Sequence, residues 1–454
     1  MSECHSSPAT IFALSSGQGR AGVAVIRISG PRAKEVLERM ATPCPPPRRA
    51  AFRKIVDPAS GELLDAALVL FFAGPTSETG EDIAELQLHG SPAVVRSVFR
   101  ALDGIAGCRM AEPGEFARRA FLNGKIDLTA AEGLADLIDA ETDAQRRQAL
   151  AQAGGAFARL CDSWRQRLLE ARALAEAAID FSDESDVAAD ALAKARAAIA
   201  PLLAEIEQIR SGANRGEIVR DGFQVVLAGA PNAGKSSLLN LLARRDVAIV
   251  SAEPGTTRDI IEARLDLGGY AVVVADTAGL RDEGGAVEQE GMRRTKARAD
   301  TADLVVWLAD VLDPVWPTAE LLAGSPPILY VANKSDLAPR PRDTLHDGAN
   351  PETAIQVSAL TGDGVTEFIA RLTSIVASRV ATGAGGGLPT QERHRRALSA
   401  CAEALRSCLE PTNAEPELIA EDLRRAADAL GRITGRIDVE DVLGEIFGRF
   451  CIGK

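Results

Sequence analysis

The sequence predicts an α/β-plus-α chain. It has an N-terminal α/β block, an all-helical central part, and a doubly wound, mostly parallel α/β domain inserted into the helical part. Three observations predict this. Between residues 214 and 380, short apolar runs (QVVLAG, YAVVVAD, DLVVWLAD, ILYVAN, AIQVSA) alternate with helical patterns. Between 125 and 212, apolar residues recur at helical spacing with no strand signal. The chain has 454 residues, length for about three domains.

The elements follow in order. GVAVIRISG (22–30), LVLFF (68–72) and EDIAELQLHG (81–90) read as strands. PRAKEVLERM (31–40) carries Pro at a helix start, and VVRSVFRALDG (94–104) ends in Gly. TPCPPPRR (42–49) is a surface loop. LTAAEGLADLIDA and WRQRLLEARALAEAAIDF read as long packed helices rather than a coiled coil, because Gly154-Gly155 interrupts the repeat. A break near FSDESD offers Ser182 or Asp183 as a cap, and a further helix runs to IRSG (209–212). ATGAGGGL (381–388) reads as a linker, followed by more helix. The expected domains are therefore 1–120, 121–213, 214–380 and 381–454, the last completing the helical part.

Composition excludes several classes. No apolar run reaches the ~18 residues of a membrane span. The start, MSECHSSPAT, lacks a basic and apolar leader pattern. Seven scattered cysteines without a C-x-x-C pair indicate neither a disulfide framework nor a zinc site, so a reducing, cytoplasmic setting is expected. The net charge of −13 argues against a surface built throughout for polyanions. Residues 1–60 are the exception, with nine Lys/Arg against four Asp/Glu, a balance of +5. A nucleic-acid partner must therefore meet local patches.

The chemistry is carried by a set of ordered motifs. A strand runs into G-x-x-x-x-G-K-S at residues 229–236 and then into a helix. Its glycines let backbone N–H groups close around phosphate, helped by the helix N-terminus. Lys235 is expected at the β/γ-phosphates and the Ser236 hydroxyl at Mg²⁺. D-T-A-G at 276–279 ends a strand 41 residues after Lys235 (276 − 235). There Asp276 can hold Mg²⁺ through water, and the Gly279 amide can sense the γ-phosphate. Thr257, in G-T-T-R (255–258), can complete the Mg²⁺ shell. N-K-S-D at 333–336 places Asn333 at the base and lets Asp336 accept two bonds from guanine N1–H and its exocyclic amine, a donor pair adenine lacks. Ser358-Ala359-Leu360 fits the last base-contacting loop. The order and spacing together identify a P-loop GTPase domain. The expected nucleotide contacts are Asn232, Ala233, Gly234, Lys235, Ser236 and Ser237 in the first motif, and Ser251, Thr256 and Thr257 in the second. They continue through Asp276, Thr277, Ala278 and Gly279 to Asn333, Lys334, Asp336, Ser358, Ala359 and Leu360.

Leu280 stands where many small GTPases carry a water-orienting Gln, so another group must serve. Glu288, in LRDEGGAVEQEG, is one choice; a solvated surface charge is the other reading. The end of the chain, G-R-F-C-I-G-K, puts Cys451 close to the terminus, either as a reactive thiol or as a small buried hydrophobe.

Over its whole length the chain resembles the MnmE (TrmE) family of tRNA wobble-uridine modification GTPases. The resemblance rests on R-x-G-V-A-V-I-R-I-S-G (20–30), T-G-E-D-I-A-E-L-Q-L-H-G (79–90) and A-E-P-G-E-F-A-R-R-A-F-L-N-G-K-I-D-L (111–128). P-N-A-G-K-S-S-L-L-N, G-T-T-R-D and the terminal C-I-G-K complete it. The resemblance implies that the N-terminal domain is folate-binding and dimerising, with Arg27, Glu85, Lys125 and Lys454 on a 5-formyl- or 5,10-methylene-tetrahydrofolate. It implies K⁺ activation, with Asn232 and the backbone around Ser251, Glu253 and Thr256 as ligands. It implies Glu288 as the water-positioning and Cys451 as a catalytic residue. It also implies a homodimer that joins a flavin (FAD)-dependent partner in a heterotetramer and adds a (carboxymethyl)aminomethyl group to C5 of U34 in certain tRNAs. One departure is Ala230, where the family often has Arg. The rival expectation is an RNA- or ribosome-assembly GTPase switch without modification chemistry.

Overall fold

The computed structural model describes residues 9–181, 185–249, 262–276, 302–317, 326–337, 354–380, 388–410, 415–437, 440–448, 450 and 452–453. From the N-terminus the elements are β1 (Thr10–Leu14), β2 (Ala21–Ser29), α1 (Ala33–Met40), β3 (Ala51–Val56), β4 (Leu63–Phe72), β5 (Ile83–Gly90), α2 (Pro92–Asp103), β6 (Cys108–Met110), α3 (Glu115–Leu122) and α4 (Leu128–Ile138). Helices α5 (Asp143–Ala153), α6 (Ala156–Asp180), α7 (Ser185–Ser211) and α8 (Ala213–Asp221) follow. Then come β7 (Phe223–Gly229), α9 (Lys235–Ala243), β8 (Glu262–Leu267), β9 (Tyr270–Asp276), β10 (Leu304–Asp310), β11 (Ile328–Asn333), a 3-10 turn (Ser335–Leu337) and β12 (Ile355–Gln356). The chain ends in α10 (Val365–Val380), α11 (Glu392–Leu409), α12 (Pro416–Thr434) and α13 (Glu440–Gly448). Two units emerge: Met1–Ala135 with Ala153–Arg165 and Ala427–Lys454, and Asp136–Gln152 with Gln166–Ala426.

In the first unit a sheet of order β3-β4-β5-β2-β1-β6 is antiparallel except for the β1–β6 pair. Side chains alternate across a strand, so β2 and β5 each have a buried and a presented face. Ile26, Ile28, Leu86, Leu88, Val69 and Phe71 pack under α1 and α2. Helix α1 meets them with Val36, Leu37 and Met40, the i, i+1, i+4 stripe of an amphipathic helix. Helix α2 is well delimited: Pro92 opens it, the Ser91 hydroxyl accepts the Ala93 N–H at 3.3 Å, and Gly104 closes it. Such a cap contributes about 1 kcal/mol. On the opposite sheet face, Arg27 of β2 lies directly across from Glu85 of β5 and Ala13 of β1. Helix α3 covers the β1 side of that face, where Ile11 and Ala13 meet Ala111 and Phe116. The C-terminal segment joins this unit, since Leu443, Ile446, Phe447 and Phe450 pack with Ala117, Leu128 and Ala131. A Cβ on Gly114, at the start of α3, would run into the Phe447 carbonyl, and its φ of +66° also favours glycine.

In the second unit a sheet of order β12-β11-β10-β7-β9-β8 is parallel except for β8. Its apolar strands Val225, Leu227, Val272, Val274, Val306, Leu308 and Val331 are buried with α9 and α10 through Leu238, Leu242, Phe368 and Leu372. Buried parallel strands with helices packed on the sheet are the doubly wound α/β class that the alternating pattern predicts. Elsewhere in the unit α7 and α11 are joined by Arg406 to Glu207 at 2.7 Å and by Arg196 to the Cys408 carbonyl at 3.4 Å. Burial pushes the Cys401 and Cys408 thiols up to about 12, so neither is a nucleophile near neutral pH. Among the described residues no helix is long and apolar enough to cross a membrane.

Candidate active site

The order of the second sheet decides where a ligand can sit. From β7 the chain moves to β9 on one side and to β10 on the other, so a crevice opens beyond the carboxyl end of β7. Four candidate motifs end or follow strands on that edge: Gly229 on β7, Asp276 on β9, Asn333 on β11 and Ser358 after β12.

The backbone explains why the first motif is written in glycine. At Gly229, φ is +142° and an added Cβ would strike the Leu308 carbonyl. At Gly234, φ is +93° and the Cβ would strike the amide of Asn333. Asn333 is buried, at 1% exposure, and binds two loops at once. Its Nδ2 donates to the Ala233 carbonyl at 2.8 Å, and its Oδ1 accepts the Ala359 N–H at 3.0 Å. The residue expected at the base is therefore also the pin that aligns the phosphate loop with the 358–360 loop.

Lys235 is buried and donates through Nζ to the Gly229 and Ala230 carbonyls, both at 2.9 Å. Burial pushes its pKa down, and the charge of Asp276 opposes that shift. Ser236 Oγ donates to Asp276 Oδ2 at 2.5 Å, which brings the two expected Mg²⁺-side residues together. Asn232 has a left-handed φ of +65° and stays exposed at the rim. At the base end, Ser358 Oγ donates to Asp336 Oδ1 at 2.6 Å, fixing that carboxylate, while Leu360 is 84% exposed. Lys334, at φ +66°, pairs with Asp310 at 2.7 Å. Sequence reasoning missed Asp310; its signal is the acidic end of DLVVWLAD, the strand beside N-K-S-D. Ser237 is exposed on the first turn of α9. Ser251, Glu253, Thr256, Thr257, Thr277, Ala278, Gly279, Leu280 and Glu288 lie outside the described residues.

A second polar cluster lies on the presented face of the first sheet. Arg27 Nη2 meets Glu85 Oε1 at 3.0 Å, and Arg27 Nη1 meets Glu78 at 2.8 Å. Lys125 borders the same loop, since a Cβ on Gly80 would lie 3.2 Å from its Cε. Three of the four residues expected at folate thus gather around residues 78–85. Cys451 and Lys454 lie outside the described residues. The residues between them are held next to β1: the Gly453 carbonyl accepts from Oγ of Ser15, just past the strand, at 2.8 Å, and Ile452 bridges Pro113.

Comparison with known proteins gives two family matches. The family described as the MnmE helical domain matches residues 128–451, and that of the GTP-binding protein TrmE N-terminus matches residues 10–125. A tRNA modification GTPase MnmE of Rhodopseudomonas palustris is 51% identical over 450 residues, covering 99% of this chain and 100% of the relative. A protein of the same name from Methylorubrum populi is 51% identical over 449 residues, covering 98% of each. Among solved structures, the G domain of the T. maritima FeoB iron transporter covers 34% of this chain and 98% of its own at 24% identity, with a TM-score of 0.26.

Proposed function

The chain belongs to the tRNA modification GTPase MnmE family, and on that premise we propose that its GTP hydrolysis drives a C5 modification of the wobble uridine, U34. The protein is a GTP hydrolase of tRNA modification. The observation that carries the reading of its site is the convergence of Gly229, Lys235, Asp276, Asn333 and Asp336 on one sheet edge.

In this reading Lys235 turns from its two carbonyls to the β/γ-phosphates, and Asp336 reads the guanine edge. Mg²⁺ fits the corner at Ser236 and Asp276, whose hard oxygen donors lie 2.5 Å apart. Ser236 and Thr257 would hold it, with Asp276 acting through water. When bound, Mg²⁺ offsets charge on the phosphate oxygens. Glu288 positions the attacking water in the place that Leu280 cannot fill.

The donor set around Arg27 suits a folate. The Arg27 guanidinium and the Lys125 ammonium match a glutamate tail, which the family resemblance extends to Lys454, and the Glu85 carboxylate matches the donor edge of a pterin. A formyl- or methylene-tetrahydrofolate supplies the one-carbon unit when bound. Cys451 is the thiol nearest this chemistry in sequence. The joint reaction adds an aminomethyl-type group with a FAD-dependent partner protein, in a cytoplasmic heterotetramer built on a homodimer. The presented sheet face supports dimerisation, because Phe52 (66% exposed) and Leu68 (43%) lie opposite each other on β3 and β4.

K⁺ is the cation proposed to stand in for an arginine finger, held by the Asn232 side chain and by backbone carbonyls at Ser251, Glu253 and Thr256. At constant ionic strength, GTP turnover is expected to be at least about tenfold faster in K⁺ than in Na⁺. Asn232→Ala loses that difference. Steady-state phosphate release reads both, and equal rates in the two salts reject the K⁺ site.

A further inference from the structure

The loop Ser77–Asp82 between β4 and β5 is tied down along its length. Ser77 Oγ donates to the Glu81 carbonyl. Thr79, fully buried, meets Ser29 Oγ through its hydroxyl at 2.8 Å, and its carbonyl accepts from Asn123 Nδ2 at 2.7 Å. The Asp82 carbonyl accepts the Gly30 N–H at 3.0 Å, and its Oδ1 accepts the Gly74 N–H at 2.9 Å. On its outer side the loop offers Glu78 to Arg27 and Gly80 to Lys125, the residues assigned above to folate.

The loop is anchored from below by a chain of charges. Glu81 Oε2 accepts from Ser29 Oγ at 2.8 Å and from Arg119 Nη1 at 3.0 Å. Arg119 continues through Nη2 to Glu115 Oε1 at 2.8 Å and to the Ala9 carbonyl at 2.8 Å. Arg109 grips Glu115 with both terminal nitrogens, at 2.8 and 2.6 Å, and the Glu112 N–H adds a third contact at 3.0 Å. Glu115 and Arg119 are 8% and 9% exposed. Burial works to raise the Glu115 pKa, but its guanidinium and N–H partners outweigh it and bring it to about 2. Taking such groups out of water costs several kcal/mol per ion, and apolar packing of equal volume holds a core at least as well. Stability alone therefore gives no reason to build this chain of charges. What an ionic network adds is directional geometry: the Arg119 fork meets Glu81 through Nη1 and Glu115 through Nη2 in the loop conformation of this structure.

We infer that Arg119 and Glu81 are positioning residues for the one-carbon site, holding loop 77–82 so that Glu78 and Gly80 present Arg27 and Lys125 to the folate. The inference rests on the folate reading above. It makes the site's affinity depend on two residues that do not touch the ligand.

The test titrates the full-length protein with 5-formyltetrahydrofolate by calorimetry and follows thermal unfolding in parallel. Arg119→Lys keeps the charge but not the fork, and Glu81→Gln keeps the shape but not the charge. Each is expected to weaken folate binding on the order of tenfold. The double variant is expected to be no weaker than the worse single one, because both act through the same contact. Ser29→Ala removes the hydroxyl that bonds both Glu81 and Thr79 of the loop and leaves every charge in place, so it gives a milder loss in the same direction and keeps the test alive where a charge variant fails to fold. Additive losses overturn action through Glu81. Affinities within about twofold of wild type, while Lys125→Ala loses binding, make the network structural only and reject the inference by itself. Wild-type protein that binds no folate overturns the folate reading and this inference with it.

Discussion

GTP turnover by Lys235→Ala is expected to fall about 100-fold or more, the loss typical of removing a positive donor aimed at charge that develops during phosphoryl transfer. Lys235 is poised for that role. Its ammonium is buried, its pKa is pushed down by burial against the counter-charge of Asp276, and it donates to the Gly229 and Ala230 carbonyls. Incoming phosphates offer this ammonium stronger partners than two neutral carbonyls. Alanine leaves the glycine-shaped loop intact, because the contacts at Gly229 and Gly234 involve Leu308 and Asn333 instead. Single-turnover phosphate release measures the effect, with thermal unfolding to show that the variant folds. Turnover near the wild-type rate would remove Lys235 from the phosphate site.

The second large effect is a change of base. In Asp336→Asn, an acceptor of two guanine N–H donors becomes an amide that faces one of them with its own N–H. Each lost hydrogen bond to a charged group is worth roughly 1.5–3 kcal/mol, so GTP and GDP affinity should drop by about 100-fold or more. Xanthine carries a carbonyl where guanine carries its exocyclic amine, and the new amide can donate to it. The variant is therefore expected to bind xanthosine triphosphate better than GTP. Ser358 Oγ holds Asp336 Oδ1 at 2.6 Å, and the asparagine oxygen can take the same bond, so the side chain keeps its place. Competition between labelled GDP and xanthosine diphosphate reads the preference; a variant that still prefers guanine would falsify the base-reading role.

The nucleotide edge was legible because its constraints are local. A glycine that must avoid the Leu308 carbonyl, or an asparagine that must reach Ala233, leaves a fixed spacing in the chain. Strands β7, β9, β10 and β11 were legible for a related reason: buried parallel strands read as apolar runs. Strand β8 was harder. Its buried Ala263, Leu265 and Leu267 alternate with Glu262, Arg264 and Asp266, so as an edge strand it has the mean polarity of a loop. The network beneath the 77–82 loop was not legible at all. Glu115 and Arg119 share a helix face at i, i+4, but Glu81 and Arg109 join them only through tertiary folding. Nor does any local signal separate Arg27 paired with Glu85 from an ordinary surface ion pair; the pairing follows from strand register.

The central claim is that GTP hydrolysis at Lys235 drives wobble-uridine modification. The most direct measurement is nucleoside analysis of tRNA incubated with the full-length protein, a FAD-dependent partner protein, GTP, methylene-tetrahydrofolate and K⁺. The account predicts a C5-modified uridine at position 34 with wild type and almost none with Lys235→Ala. Undiminished modification by the variant would contradict the coupling. Wild-type protein that hydrolyses GTP yet leaves U34 unmodified would instead favour a GTPase switch without modification chemistry.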